Sequence, residues 1–269
     1  MIDNTVKDKI RNLLSTIEQE ENVRIFYACE SGSRAWGFPS ADSDFDVRFI
    51  YAHPVNWYLS IDEGRDVIER PINDAIDLSG WEMKKALKLF RKSNPPLLEW
   101  LQSPIVYREK YRVAEKLREL LPAFYSPASC LYHYLHMAQG NYREYLKGEE
   151  VWIKKYFYIL RPILACQWIE ADLGAVPTEF DRLVDRMVES QPLKNAINTL
   201  LAQKRAGDEL SWGAKIPVID DFIKSKMERL GSKKFEQGRP KPDTEALNEL
   251  FRSSLVEIWG KNGRLTFSG

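Results

Sequence analysis

Cysteine, histidine and net charge are all scarce in this chain of 269 residues. The three cysteines, Cys29, Cys130 and Cys166, lie far apart and form no C-x-x-C unit, which argues against a disulfide framework and fits a reducing compartment. Cys130, His133 and His136 fall across a broad arc of one predicted helix with no fourth ligand in reach, so ordinary core and surface roles are expected there rather than zinc. His53 is the only other histidine, too little for a histidine relay. Lysine plus arginine, 39, equals aspartate plus glutamate, 39, so no global field draws polyanions and any nucleic-acid contact must come from local clustering. No apolar run reaches bilayer length, and the opening stretch MIDNTVKDKIRNLL is charged throughout with no signal-peptide core; no membrane partner and a cytoplasmic location are expected. There is no internal repeat.

What the chain does have is the material of folded cores: 44% hydrophobic residues, with 8 Trp, 12 Tyr and 12 Phe. Its length suits two ordinary domains. Val6, Ile10, Leu13, Leu14 and Ile17 recur at helical spacing and predict a helix over 4–21. Short β-rich runs over 23–29, 46–51 and 72–78 predict strands, with a mixed excursion over 54–70. Ser79-Gly80-Trp81-Glu82 matches the S-x-x-E capping box, so a helix is expected from there through Met83, Leu87 and Phe90 to Lys92, ended by Asn94-Pro95-Pro96. Beyond residue 110 the pattern is helical over 111–121, 129–146, 151–173, 178–190, 193–206 and 216–230, with no strand signal of comparable strength. A Lys-, Gly- and Pro-rich stretch over 231–243 reads as a linker to a last helix over 243–259. The expected class is α+β: a mixed sheet with helices over 1–108, then an all-α domain with a C-terminal tail over 109–269.

The chemistry concentrates in "ESGSRAWGFPSADSDFDVRFIY". A strand ending in Gly32-Ser33 and turning into a helix leaves backbone N–H groups ready for phosphate oxygens, and glycine permits the close approach. Asp44 and Asp46, two apart where a strand begins, project from one face and can share a cation; a hard ion such as Mg²⁺ relieves the repulsion between them. Two-metal transfer wants one more carboxylate, and Asp77, between the small residues Ala75 and Ser79, is the candidate, with Asp74 and Asp42 competing. The plain alternative is a solvated Asp/Ser/Gly loop.

Gly32-Ser33, Asp44-Phe45-Asp46 and Asp77 resemble the hG[GS]…D-x-D…D pattern of the DNA polymerase β-like nucleotidyltransferase superfamily over about the first hundred residues. More narrowly, "NPPLLEWLQSPIVY" and "KKYFYILRPILACQWI" resemble the nucleotidyltransferases associated with phage-type RNA ligases, as far as about residue 175. The resemblance implies a polymerase β-like mixed sheet with a helical region behind it, and a nucleoside triphosphate held at the Gly-Ser turn. It also implies Mg²⁺ on Asp44 and Asp46, two ions in all with Asp77 and with Mn²⁺ as substitute, Asp77 helping to deprotonate an acceptor hydroxyl, and an RNA end as the acceptor. Small-molecule or protein acceptors stay open, as does a nucleotide-binding regulator or antitoxin-like partner without turnover. The base preferred and the oligomeric state have no signature in the sequence.

Further candidates surround this core. Lys154, Tyr158 and Arg161 share one helix face and offer two cations and a ring to a nucleotide, with Lys155 an alternative to Lys154 and Pro162 expected to kink the helix. Arg34 either holds phosphate or pairs with a nearby acid. Lys84, Lys88 and Arg91 give the helix after Asp77 a basic flank that suits an RNA backbone or is simply solvated. The Trp and Tyr residues over 132–168 are expected in the core rather than stacked on bases.

Overall fold

The computed structural model describes residues 2–73, 75–207, 210–233 and 243–260. The front of the chain runs α1 (Asn4–Glu20), β1 (Arg24–Glu30), α2 (Gly32–Trp36), β2 (Phe45–Ala52), α3 (Val55–Tyr58), β3 (Val67–Asn73), β4 (Ile76–Glu82), α4 (Met83–Arg91), α5 (Pro95–Leu101) and β5 (Val106–Glu109). Behind it follow α6 (Val113–Phe124), α7 (Pro127–Tyr145), β6 (Glu150–Trp152), α8 (Lys155–Glu170), α9 (Phe180–Met187), α10 (Gln191–Ala206), β7 (Trp212–Ala214), α11 (Pro217–Ser232) and α12 (Glu245–Trp259). The expected α+β organisation holds: a five-stranded mixed sheet, ordered β3-β4-β2-β1-β5, with a helical region after it.

Alternation sorts the sheet residues onto two faces. Val47, Phe49 and Tyr51 of β2 and Ile76 and Leu78 of β4 join Ile10, Leu14 and Ile17 of α1 in one hydrophobic cluster. That stripe recurs at i, i+4 and i+7, and Asp3 caps the helix by accepting a hydrogen bond from the Thr5 N–H. On the other face, Phe26, Tyr27, Ile50 and Ala52 belong to a larger core that continues through α4 to α12. An irregularity in the β1·β2 register between Ile25 and Tyr27 explains why the adjacent Phe26 and Tyr27 enter the same core. β2 pairs with β4 in parallel, Asp46 opposite Asp77, because the chain leaves β2, passes α3, lays β3 at the sheet edge and turns back into β4.

Several local expectations are corrected. The predicted strand over 72–78 is split: β3 ends at Asn73 and β4 begins at Ile76. Ser79 does not cap α4, because parallel pairing with β2 runs on to Glu82 and keeps Ser79 and Gly80 in the sheet. Glu82 is the cap, its carboxylate accepting from the N–H groups of Lys84 at 2.7 Å and Lys85 at 3.0 Å. The region beyond residue 110 also contains strands, β6 and β7, three residues each and paired antiparallel, too short to show a period. The expected linker over 231–243 lies largely outside the described residues, as does Asp74. All three cysteines are buried thiols, and among the described residues no group of three or more His, Cys, Asp or Glu side chains forms a ready metal cage.

The two regions are tied by a buried ion pair. Arg161 in α8 is 2% exposed and donates to Glu99 of α5 at 2.8 Å, while the Tyr134 hydroxyl donates to the same carboxylate oxygen at 2.6 Å. Arg161 also donates to the Thr178 carbonyl at 3.3 Å, and its guanidinium lies 4.8 Å from the Trp36 ring centre. Glu99→Ala leaves this guanidinium buried without its counter-charge and is expected to destabilise the protein by about 3–5 kcal/mol, read from urea denaturation midpoints.

Candidate active site

The site forms where β2 and β4 begin. Asp46 and Asp77, register partners on adjacent parallel strands, face the helical side of the sheet. Arg48, two residues on from Asp46 and therefore on the same face, reaches both: its Nη2 donates to Asp46 Oδ1 at 3.1 Å and to Asp77 Oδ2 at 2.7 Å. Asp44 is exposed on the loop just before β2. Burial raises the Asp46 pKa above the usual carboxylate range, with Asp77 and Asp44 adding to the effect and Arg48 opposing it.

Behind Asp46 stands Glu30, fully buried at the end of β1. One of its oxygens accepts the Asp46 backbone N–H at 2.8 Å and the other accepts the Tyr107 hydroxyl, and burial lifts its pKa to about 7. Glu30 therefore fixes the backbone that presents Asp46. Gly32 makes room for the Asp46 carboxylate from the front. With φ of +58°, it opens α2 so close to Asp46 that a Cβ there would lie 2.1 Å from Asp46 Oδ2.

The remaining walls come from the loop over 37–44 and from α8 and α10. Arg34 is committed to this loop: it donates to the carbonyls of Ser43 at 2.6 Å and Asp44 at 3.1 Å and stacks over Phe45, its guanidinium 3.9 Å from the ring centre. Ser40 and Ser43 share a hydroxyl contact of 2.9 Å. Lys204 of α10, 8% exposed, donates to Ser40 Oγ, and the adjacent Arg205 donates to the Gly37 carbonyl at 3.1 Å. Ser33, Asp44, Asp46, Lys154, Tyr158 and Lys204 line one pocket together with Phe38 and Phe157. Lys204 has its pKa lowered by burial and, secondarily, by the like charge of Lys154. Lys154 and Lys204 thus bring two cations to a pocket that also holds the carboxylates of Asp42, Asp44 and Asp46.

Of the expected site residues, the structure brings Asp44, Asp46, Ser33, Lys154 and Tyr158 to this pocket, Gly32 against Asp46, and Asp77 beside Asp46. Arg34, expected to hold phosphate or pair with an acid, braces the loop through two backbone carbonyls and the Phe45 ring. Arg161 is a correction: it shares a helix with Tyr158 but is sealed against Glu99 and does not line the pocket. Lys155 packs its ammonium over the rings of Tyr145, Trp152 and Tyr158. The basic flank of α4 is also displaced from where it was expected: Lys84, Lys85 and Lys88 line a different pocket, with Trp57 and Asp66, at the far end of β4. Sequence reasoning missed Arg48 and Lys204. Strand alternation with Asp46 signals the first. The second carries its own signal, since Lys204 falls at i+7 from Ile197 and i+4 from Leu200, on the buried face of α10.

The donor set fits a hard divalent cation in kind, with carboxylate oxygens close enough to repel one another. Asp46 and Asp77 supply a juxtaposed pair and Asp44 is the nearby third.

A carboxylate pair on parallel strands, a glycine-serine helix start and a lysine-lined cleft follow the polymerase β-like pattern that the sequence resembles. The chain belongs to the RNA repair pathway DNA polymerase beta family (RlaP), whose model matches residues 6–253. It is 51% identical over 259 residues to the uncharacterized protein YcgL of Bacillus subtilis (strain 168), an alignment covering 96% of this chain and 100% of that one. A crystal structure of a nucleotidyltransferase-like protein from Exiguobacterium sibiricum aligns over 96% of this chain and 92% of its own, at 13% identity and a TM-score of 0.32, too low to bear on the argument.

Gly32→Ala forces both a positive-φ alanine and a clash with Asp46, and is expected to cost about 1–3 kcal/mol while displacing the Asp46 carboxylate. Thermal unfolding and a crystal structure of the variant check the two effects.

Proposed function

We propose that this protein transfers a nucleoside monophosphate from a nucleoside triphosphate to an acceptor hydroxyl, with an RNA end as the acceptor. The observation that carries the reading is the pairing of Asp46 with Asp77 beside the Lys154–Lys204 pocket. Family membership supports the RNA repair setting. Lys154 and Lys204 hold the distal phosphates, Ser33 and the opening turn of α2 receive phosphate oxygens, and Tyr158 packs against the nucleotide. Asp77 accepts the acceptor's proton. Asp44 and Asp46 would hold Mg²⁺ or Mn²⁺, which when bound neutralises charge on the reacting phosphate. Glu30 keeps Asp46 in place while this occurs, and Gly32 leaves room for its carboxylate.

Arg48 favours a second reading, because a guanidinium settled between the acids also suits a nucleotide-binding regulator without turnover. Labelled NTP, Mg²⁺ and a pool of RNA separate the two: pyrophosphate release with label transfer supports the transferase, and binding without release supports the regulator. Asp46→Asn and Asp77→Asn are each expected to lower the transfer rate about a hundredfold or more. Lys204→Met is expected to raise the KM for NTP about tenfold with a smaller change in kcat, as loss of a ground-state phosphate contact predicts. Transfer at wild-type rates in either aspartate variant would remove those residues from the mechanism.

A further inference from the structure

Arg48 stands out because the proposed reaction gives it no task, yet no side chain is more closely bound to the acid pair. Its Nη2 bridges Asp46 and Asp77, and its Nη1 donates to the Val47 and Asp77 carbonyls, each at 3.2 Å. One guanidinium thus meets four acceptors from two strands, with its side chain 19% exposed. Its register partner on β4 is Ser79, small enough to let the arginine fold back toward the acids instead of out to solvent. Arginine suits this post, since its planar fork spans two acceptors and its charge does not titrate away.

The electrostatics have a consequence for cation binding. Arg48 offsets one of the three aspartate charges and so leaves less negative charge for cations to neutralise. A second ion between Asp46 and Asp77 would have to enter against the guanidinium, which already holds one oxygen of each carboxylate.

We propose that Arg48 is the resident cation of the Asp46–Asp77 pair, taking the place of a second metal, so that the free protein takes up one divalent ion, on Asp44 and Asp46. This deepens the nucleotidyltransferase reading and rests on it for the identity of the carboxylates. In this arrangement Asp77 is oriented by Arg48 rather than by metal, and Arg48 is a positioning residue that leaves a fixed positive charge beside the reacting phosphate.

Manganese alone is the probe, titrated into the full chain without nucleotide and followed by the electron paramagnetic resonance of free Mn²⁺. Wild type is expected to bind one ion, with an affinity that Asp77→Asn changes less than twofold and Asp46→Asn weakens at least tenfold. Arg48→Met is expected to bind a second ion, and Asp77→Asn in that background to abolish it. Without metal Arg48→Met is expected to melt below wild type, and Mn²⁺ to restore most of the difference; a purely structural arginine would show no such rescue. Arg48→Lys, which keeps the charge, is expected to bind one ion, and Arg48→Gln, which removes the charge but keeps a polar side chain, is expected to bind two and carries the test should Arg48→Met fail to fold.

Two ions in wild type, or one ion in Arg48→Met, would overturn the proposal while leaving the transferase reading intact. No Mn²⁺ bound by wild type or by Arg48→Met, together with Asp46→Asn transferring label as wild type does, would overturn both.

Discussion

The parallel pairing of β2 with β4 is the constraint on which the site depends. Parallel neighbours cannot be joined by a tight turn, so the chain must leave the sheet and come back, which it does through α3 and the edge strand β3. Only in that register do Asp46 and Asp77 stand side by side. A slip of one residue would turn Asp77 to the face packed on α1, where Ile76 and Leu78 now sit. The hydrophobic burial of those two residues therefore also holds the carboxylate pair in position.

Around that pair the protein keeps like charges together by surrounding them with partners of graded strength. Glu30 is buried outright and tied to the Asp46 backbone and to Tyr107, Asp46 is half-buried and shared with Arg48, and Asp44 is left to solvent. The helical region contributes the opposite sign through Lys154 and Lys204, and Arg205 joins Lys204 in pinning the loop over 37–44. The cleft thus has an acidic floor and a basic wall.

Much of this was legible residue by residue. The α1 stripe, the strands on either side of the acidic loop and the α+β division follow from periodicity, because burial on one face imposes its period on the chain. Asp44 and Asp46 declare themselves through spacing. Other features were hidden for definite reasons. Ser79-x-x-Glu82 reads as a cap, but the demand of β2 for a pairing partner outweighed it and passed the cap to Glu82. β6 and β7 are too short to show alternation. Arg161 shares a helix with Tyr158, and no periodicity discloses that Glu99 and Tyr134, distant in the chain, close over it.

By itself the sequence determined which residues could be catalytic, since residue type and local spacing are properties of short segments. Tertiary structure alone decided which of them meet: that Asp77 lies beside Asp46, that Arg48 sits between them, that Lys204 reaches the loop from α10 and that Arg161 is sealed away. The reason is physical. Periodicity reports whether a side chain faces the core or water, whereas the identity of its neighbour there depends on strand order and register, which are set by the burial of the whole sheet at once.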